Sequence, residues 1–284
     1  MKNKRYGENQ DQGEYWNELG GPKWVEEDAA MNSRLSKITG HLFEKTPIEP
    51  KQKVLDIGCG GGMTSEIAGK KVGQKGEVHG LDISAPLLEL AKKRCHNQEQ
   101  ISFFLGDAQS QKLSEDYYDH VISRFGVMFF EDPIRAFSNL HQSLKSNGRL
   151  TFVCWSTLDE NEFFHIPLDT VLKHLGLPRP EETTQPGPLS LSNTSHTRGL
   201  LSKAGFSQVE IRTIKTKIAS KDDILTHAKL YLKIGAGARV LGEQQVDKST
   251  FEKILKQLVE NLKNCVEGDE ISLEATVHFV IAIK

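Results

Sequence analysis

The stretch Lys53-Val54-Leu55-Asp56-Ile57-Gly58-Cys59-Gly60-Gly61-Gly62 decides how this chain is read. An apolar run, Val54, Leu55 and Ile57, carries a carboxylate, Asp56, near its end. Four glycines follow within five positions, and Met63 to Lys70 then suits a helix. The order is strand, glycine turn, helix. Glycines permit positive φ and carry no Cβ, so a ligand can press against the backbone. The next helix offers free N–H groups at its start. A dinucleotide fingerprint places a third glycine where this chain has Met63. Asp56 would sit badly beside a pyrophosphate but suits a cation.

Moving outward, strands and helices alternate. The pattern predicts strand 53–57, helix 62–70, strand 77–81 and a helix begun by Pro86. Strand 101–105 and strand 120–123 come next. Asp132 then caps a helix with Pro133 at its first position, closed by Asn147-Gly148 before strand 149–155. Such alternation makes an α/β, doubly wound parallel sheet with helices on both faces. Ligands of such sheets bind at the carboxyl ends of the strands. Those ends are Asp56 to Gly62, Asp82-Ile83, Asp107-Ala108 and Ser123-Arg124.

The flanks read differently. Residues 1–50 form a helical leader, with Met31, Leu35, Ile38, Leu42 and Phe43 at helical spacing. Its Trp16 and Trp24 either pin it to the core or make it a lid. The core is expected at 51–156, 199–220 and 266–284. Residues 157–198 and 221–265 read as cap insertions that form a substrate pocket. The second holds two helical stretches around Gly235-Ala236-Gly237. Thr194 to Ala204 suits a helix, Phe206 to Ile214 a strand, and Leu273 to Ile283 a last strand.

Composition narrows the classes. A formal net charge of −2 over 284 residues gives no basic footprint for nucleic acid. Cys59, Cys95, Cys154 and Cys265 are too scattered for a zinc knuckle or a redox pair. They read as reduced thiols of a cytoplasmic protein. The histidines show no metal-ligand spacing, so no metal is expected. No apolar run is long enough to span a bilayer, and Met1 to Gln10 carries no secretory signal pattern.

Two carboxylates have readable roles. Asp82 ends the second strand about twenty residues past the glycine turn, where an acid accepts from ribose hydroxyls. The other reading is an N-cap for the following helix, which Ser84 suits better. Asp107 after the third strand can accept from an adenine amino group, or can close its own turn. Arg124 suits a substrate carboxylate or a surface acid. No general base stands out, and His165 is the histidine to test first. Trp155 and Phe163 are candidates to pack on a substrate ring or in the core.

Asp56-Ile57-Gly58-Cys59-Gly60-Gly61-Gly62 resembles the first motif of class I S-adenosylmethionine-dependent methyltransferases. Gly80-Leu81-Asp82-Ile83-Ser84, Gly106-Asp107-Ala108 and Ser123 to Phe130 follow in that family's order. The chain resembles the bacterial small-molecule branch related to ubiquinone and menaquinone biosynthesis. This resemblance implies a Rossmann-like, seven-stranded sheet with the last strand antiparallel. It implies S-adenosyl-L-methionine as cofactor and S-adenosyl-L-homocysteine as product. Asp56, Gly58, Cys59 and Gly60 would face the methionine part, Asp82 and Ile83 the ribose, Asp107 and Ala108 the adenine. Ser123 and Arg124 would lie by the amino group, whose ammonium main-chain carbonyls there can receive. The implied acceptor is a small molecule, with O-, N- and C-methylation open and a homodimer left open. A non-catalytic cofactor-binding regulator and an NAD-dependent oxidoreductase are the alternatives. The oxidoreductase lacks its third glycine and a Tyr-x-x-x-Lys constellation.

Overall fold

A strand buried on both faces needs apolar side chains on both, and β1 (Lys53–Ile57) has them. Val54 packs with Val78, Ile122 and helix residues Ala68 and Val72 on one face. Leu55 and Ile57 pack with Val121, Phe137 and Leu140 on the other. A computed structural model describes residues 9–181 and 183–284. Residues 1–8 of the expected leader lie outside them.

Four helices precede the sheet: α1 (Gln10–Glu18), α2 (Gly20–Glu26), α3 (Asp28–Arg34) and α4 (Ser36–Lys45). The alternating region follows with α5 (Met63–Val72), β2 (Glu77–Asp82), α6 (Ala85–Arg94), β3 (Ile101–Leu105), β4 (Tyr118–Arg124), α7 (Pro133–Ser143) and β5 (Leu144–Trp155). The remainder is α8 (Glu162–Leu175), α9 (Thr194–Lys203), β6 (Gln208–Ser220), α10 (Ile224–Lys233), α11 (Ala236–Gln244), α12 (Lys248–Leu262), β7 (Val266–Glu267) and β8 (Glu270–Ile283). The sheet order is β3-β2-β1-β4-β5-β8-β6, with the two-residue β7 beside β8. β1 to β5 are parallel, and β8 runs antiparallel to both β5 and β6. The expected seven-stranded sheet is therefore present, its last strand reversed.

Three boundaries differ from the sequence reading. Asn147-Gly148 does not close a helix. α7 stops at Ser143, and Asn147, at φ 63°, lies where the β4–β5 register shifts. The second insertion holds three helices, because Asp247 caps a separate α12 by accepting from the Thr250 amide. β6 runs on to Ser220, well past Ile214. Its added half pairs with β8 beyond the last β5 pair, Trp155 with Val277. The helices between β6 and β8 pack on α8. Asn261 of α12 donates to Thr170 of α8 at 2.8 Å.

The chain crosses to the other side of β1 between β3 and β4. At that switch point the turns after β1 and β4 touch. A Cβ on Gly58 would stand 2.6 Å from Gly126 Cα, and Gly58 has φ 62°. Gly176 has φ 65° with nothing near a Cβ. Gly176→Ala is expected to cost about 1–2 kcal/mol through φ alone. Gly58→Ala adds a backbone clash and should cost about 3 kcal/mol or more. Urea unfolding of the two variants checks this, and equal losses would contradict it.

Candidate functional site

The turn after β1 is built from backbone bonds to β2. The Gly58 and Cys59 amides donate to the Leu81 carbonyl at 2.8 and 3.3 Å. Gly58, Gly60 and Gly62 all take positive φ, which only glycine adopts readily. A Cβ on Gly60 would meet nothing within 4 Å, so that side of the turn is clear. Gly62 is the N-cap of α5, so the helix opens at the turn.

Asp56 lies beneath the turn and not on its surface. It is fully buried and accepts from Thr64 Oγ1 at 2.7 Å and Ser65 Oγ at 2.6 Å through one oxygen. Its other oxygen, Oδ1, has no hydrogen-bond partner. Burial pushes the carboxyl up to about 6, against the pull of the two hydroxyls and of Arg124. Arg124 meets no surface acid. It donates to Thr39 Oγ1 at 2.8 Å and Asn32 Oδ1 at 2.7 Å, both from leader helices. Desolvation lowers its guanidinium to about 10, which leaves it charged at neutral pH.

Asp82 joins the two strand ends. Its carboxylate accepts from the Gly60 amide at 2.7 Å and the Ser84 amide at 2.8 Å, one on each oxygen. A carboxylate has about four acceptor sites, so capacity remains. Burial raises its pKa. Ser84 is the N-cap residue of α6, but its hydroxyl donates to the Trp16 carbonyl instead of capping. Asp107 closes its own turn, accepting from the Gln109 amide and Ser110 Oγ. The Ala108 carbonyl accepts from Asn139 at 2.7 Å. Ser123 Oγ donates to the Ile57 carbonyl at 2.7 Å and accepts from the Gly126 amide, tying β4 to β1. Cys59 is buried, and its thiol is pushed well above its usual range by burial. The structure thus gathers the expected residues at the ends of β1 to β4.

His165 stands apart. It lies on α8 beside Asp169 at 3.7 Å, and Asp169 is held by Arg179 at 2.8 Å. The buried residues on either side of it, Phe163, Phe164, Pro167 and Leu168, face the core. Trp155 and Phe163 join a ring stack that begins at the site. Phe125 lies on Trp155 with centroids 4.2 Å apart and planes 6° apart, and Trp155 reaches Phe163 at 6.0 Å. Phe125 is half-buried and has φ 66°, an outlier for a bulky side chain.

Leader residues reach the same edge, and of these the sequence singled out only Trp16. Asn17 donates to the Ile83 carbonyl and accepts from the Ala85 amide. Asn9 donates to the Phe129 carbonyl, and Trp16 meets the Phe129 ring edge-on at 5.2 Å. Asp28 pairs with Arg94, which also donates to the Gly61 carbonyl. These partners lie 33 to 120 positions apart in sequence, so local pattern carried no signal for them. Among the described residues no His, Cys, Asp or Glu group could hold a metal ion, and no helix is long and apolar enough to cross a membrane.

A family model described as a methyltransferase domain matches residues 55–152. The demethylmenaquinone methyltransferase of Staphylococcus epidermidis is 25% identical over 190 residues, spanning 63% of this chain and 78% of that protein. The YcgJ protein of Bacillus subtilis superposes with a TM-score of 0.55 at 18% identity, over 87% of this chain and 97% of that one. Phosphoethanolamine N-methyltransferase 2 of Haemonchus contortus, solved with phosphomonomethylethanolamine and S-adenosylhomocysteine, gives 0.53 at 18%, over 87% and 52%.

The pH dependence of stability follows from Asp56. Its folded-state pKa, about 6, lies above the ordinary 3.8. The folded state therefore holds the proton more tightly, and ionising Asp56 weakens the fold as pH rises from 4 to 6. The full effect is about 3 kcal/mol. Asp56→Asn is expected to be more stable than the parent at pH 8, by about 1–3 kcal/mol, with the gap closing near pH 4. Denaturant midpoints at the two pH values check it. A variant less stable at pH 8 than at pH 4, relative to parent, would reverse the sign.

Proposed function

We propose, from the premise that the chain belongs to the class I S-adenosylmethionine-dependent methyltransferases, that it methylates a small aromatic acceptor between the strand ends and the inserted helices. The carrying observation is Phe125, a half-buried ring held at positive φ beside the Gly58–Gly126 contact and stacked on Trp155. Strain of this kind costs of order 1–3 kcal/mol and clusters at functional sites. The demethylmenaquinone acceptor in the relative's name is a quinone, which supports a flat ring as substrate.

The bound cofactor supplies an electrophilic methyl on a sulfonium. The residues present fit that group. The clear side of Gly60 admits it against the backbone, and the spare acceptor capacity of Asp82 suits ribose hydroxyls. Asp107 and Ala108 would border the adenine, with Gly58, Cys59 and Ile83 contributing main chain. Main-chain carbonyls at Ser123 and Arg124 would receive the ammonium. Asp56, with its unpartnered oxygen beneath the turn, would add negative potential. This reading gives His165 no role and leaves catalysis to orientation and exclusion of water. The buried rings Trp155 and Phe163 would supply the dry wall. Helices α1 to α3 would act as the lid, with α8 and α10 to α12 as the cap.

S-Adenosylhomocysteine is expected to bind with micromolar-class affinity. Asp82→Ala should weaken it by roughly 1–3 kcal/mol, because hydroxyls lose their acceptor. Calorimetry giving equal affinity for variant and parent would count against the assignment. Phe125→Ala should keep that affinity within about threefold while turnover of a 1,4-naphthoquinol probe falls about tenfold or more. Unchanged turnover would remove the ring from the acceptor site.

A further inference from the structure

Helix α3 touches three parts of the molecule that belong to different segments. Arg94 donates to the Gly61 carbonyl in the glycine turn and pairs with Asp28, the first residue of α3. Asn32 donates to the other oxygen of Asp28 at 2.9 Å. Asn32 then accepts from Arg124 at the end of β4 at 2.7 Å. A continuous polar chain thus runs from the turn after β1 to the end of β4 through one face of the helix.

The opposite face holds the inserted helices. Arg34 lies two residues beyond Asn32, about 200° further round the helix. Its side chain is buried and donates to Asp222 at 2.6 Å and to the Ala30 carbonyl at 3.0 Å. The Tyr231 phenol of α10 lies near Arg34, whose positive charge opposes the rise that burial gives its pKa. Tyr231 lies 3.1 Å from His227 Nδ1. Tyr231 packs edge-on against Phe163 at 5.1 Å, at the far end of the Phe125–Trp155–Phe163 stack. The charged groups facing His227 are Arg34 from α3 and Asp222 and Asp223 from the loop before α10. Burial and Arg34 lower its pKa to about 4, so it is neutral in ordinary buffers. Arg34 Nε and His227 Nε2 are buried without partners in hydrogen-bond geometry, although the Ser220 carbonyl lies close to His227. Such atoms cost about 1–3 kcal/mol each, so this seam is where leader and inserted helices separate most easily.

We propose that α3 is the positioning element of the site, and that Arg34 is the residue through which occupancy of the glycine turn orders α10. A seven-residue helix clamped on both faces moves as one body. A ligand that fixes the Gly61 carbonyl and Arg94 also fixes Asp28 and Asn32, and with them Arg34. The Arg34–Asp222 link then holds the start of α10, which carries Tyr231 at the end of the aromatic stack. Coupling of this kind is reciprocal, so acceptor binding under α10 tightens the turn equally. The inference rests on the methyltransferase reading of the turn.

Hydrogen–deuterium exchange of the full chain, with and without S-adenosylhomocysteine, tests it. In the parent the ligand should slow exchange in residues 224–244 by at least about fivefold. Arg34→Met should bind the ligand within about threefold of parent yet lose that slowing. Arg34→Lys should restore part of it, since lysine keeps the charge opposite Asp222 but lacks the fork that also holds the Ala30 carbonyl. Slowing retained in Arg34→Met, or absent from the parent, overturns the proposal. Where Arg34→Met does not fold, Asp222→Asn at the half-exposed end of the link replaces it. There a partial loss supports the proposal and full slowing overturns it. A parent that fails to bind the ligand at all sinks the methyltransferase reading of the turn, and this inference with it.

Discussion

Two backbones meet at Gly58 and Gly126, and the site depends on that approach. A side chain on either residue would drive the turns after β1 and β4 apart, since each Cβ would stand under 3 Å from the opposite main chain. Ser123 closes the same junction from below by bonding to Ile57 and Gly126. With the junction closed, Asp82 can reach the Gly60 amide, and Phe125 is forced into positive φ with its ring against Trp155. The strain at Phe125 is sustained by the contact next to it.

Charge beneath that junction opposes stability. Asp56 and Asp82 are both buried, and burial raises both pKa values. Arg124 partly offsets this through its attraction to Asp56, while its hydrogen bonds go to Thr39 and Asn32. Two hydroxyls and a distant guanidinium hold Asp56 charged at neutral pH at a cost that an asparagine would avoid. A cationic ligand at the turn, as proposed above, would explain why the charge stays. An electrostatic field costs stability in the free protein and is offset when the ligand binds.

Elements marked by local chemistry were legible in the sequence. Asp132-Pro133 opens α7 as its residue types require, with Asp132 accepting from the Arg135 amide. The apolar run and glycines of residues 53–62 placed β1, the turn and α5 within two residues. Asn147-Gly148 misled because a turn pair fits a helix end and a strand irregularity equally well. The break before α12 was missed because Asp247 gives only a short capping signal between two amphipathic runs. Asp107 shows a different limit. Its carboxylate in a turn was readable, but its own-turn bonds to Gln109 and Ser110 emerge only from the folded loop.

The leader was the least legible part of the site, and the reason is physical. Its helices showed as apolar spacing, and Met31, Leu35, Ile38 and Leu42 do enter the core. That spacing says nothing about the polar residues interleaved with it, Asp28, Asn32 and Thr39, which meet Arg94 and Arg124. Polar residues on an amphipathic helix ordinarily face water. Here they meet arginines at the carboxyl end of β4 and beside the turn after β1. A sheet that presents its strand ends needs a second polar surface to close over them, and the leader supplies it with asparagines in place of apolar caps. Asn17 makes the point at single-residue scale, since one amide side chain satisfies both the Ile83 carbonyl and the Ala85 amide. An apolar residue there would leave both groups without these partners.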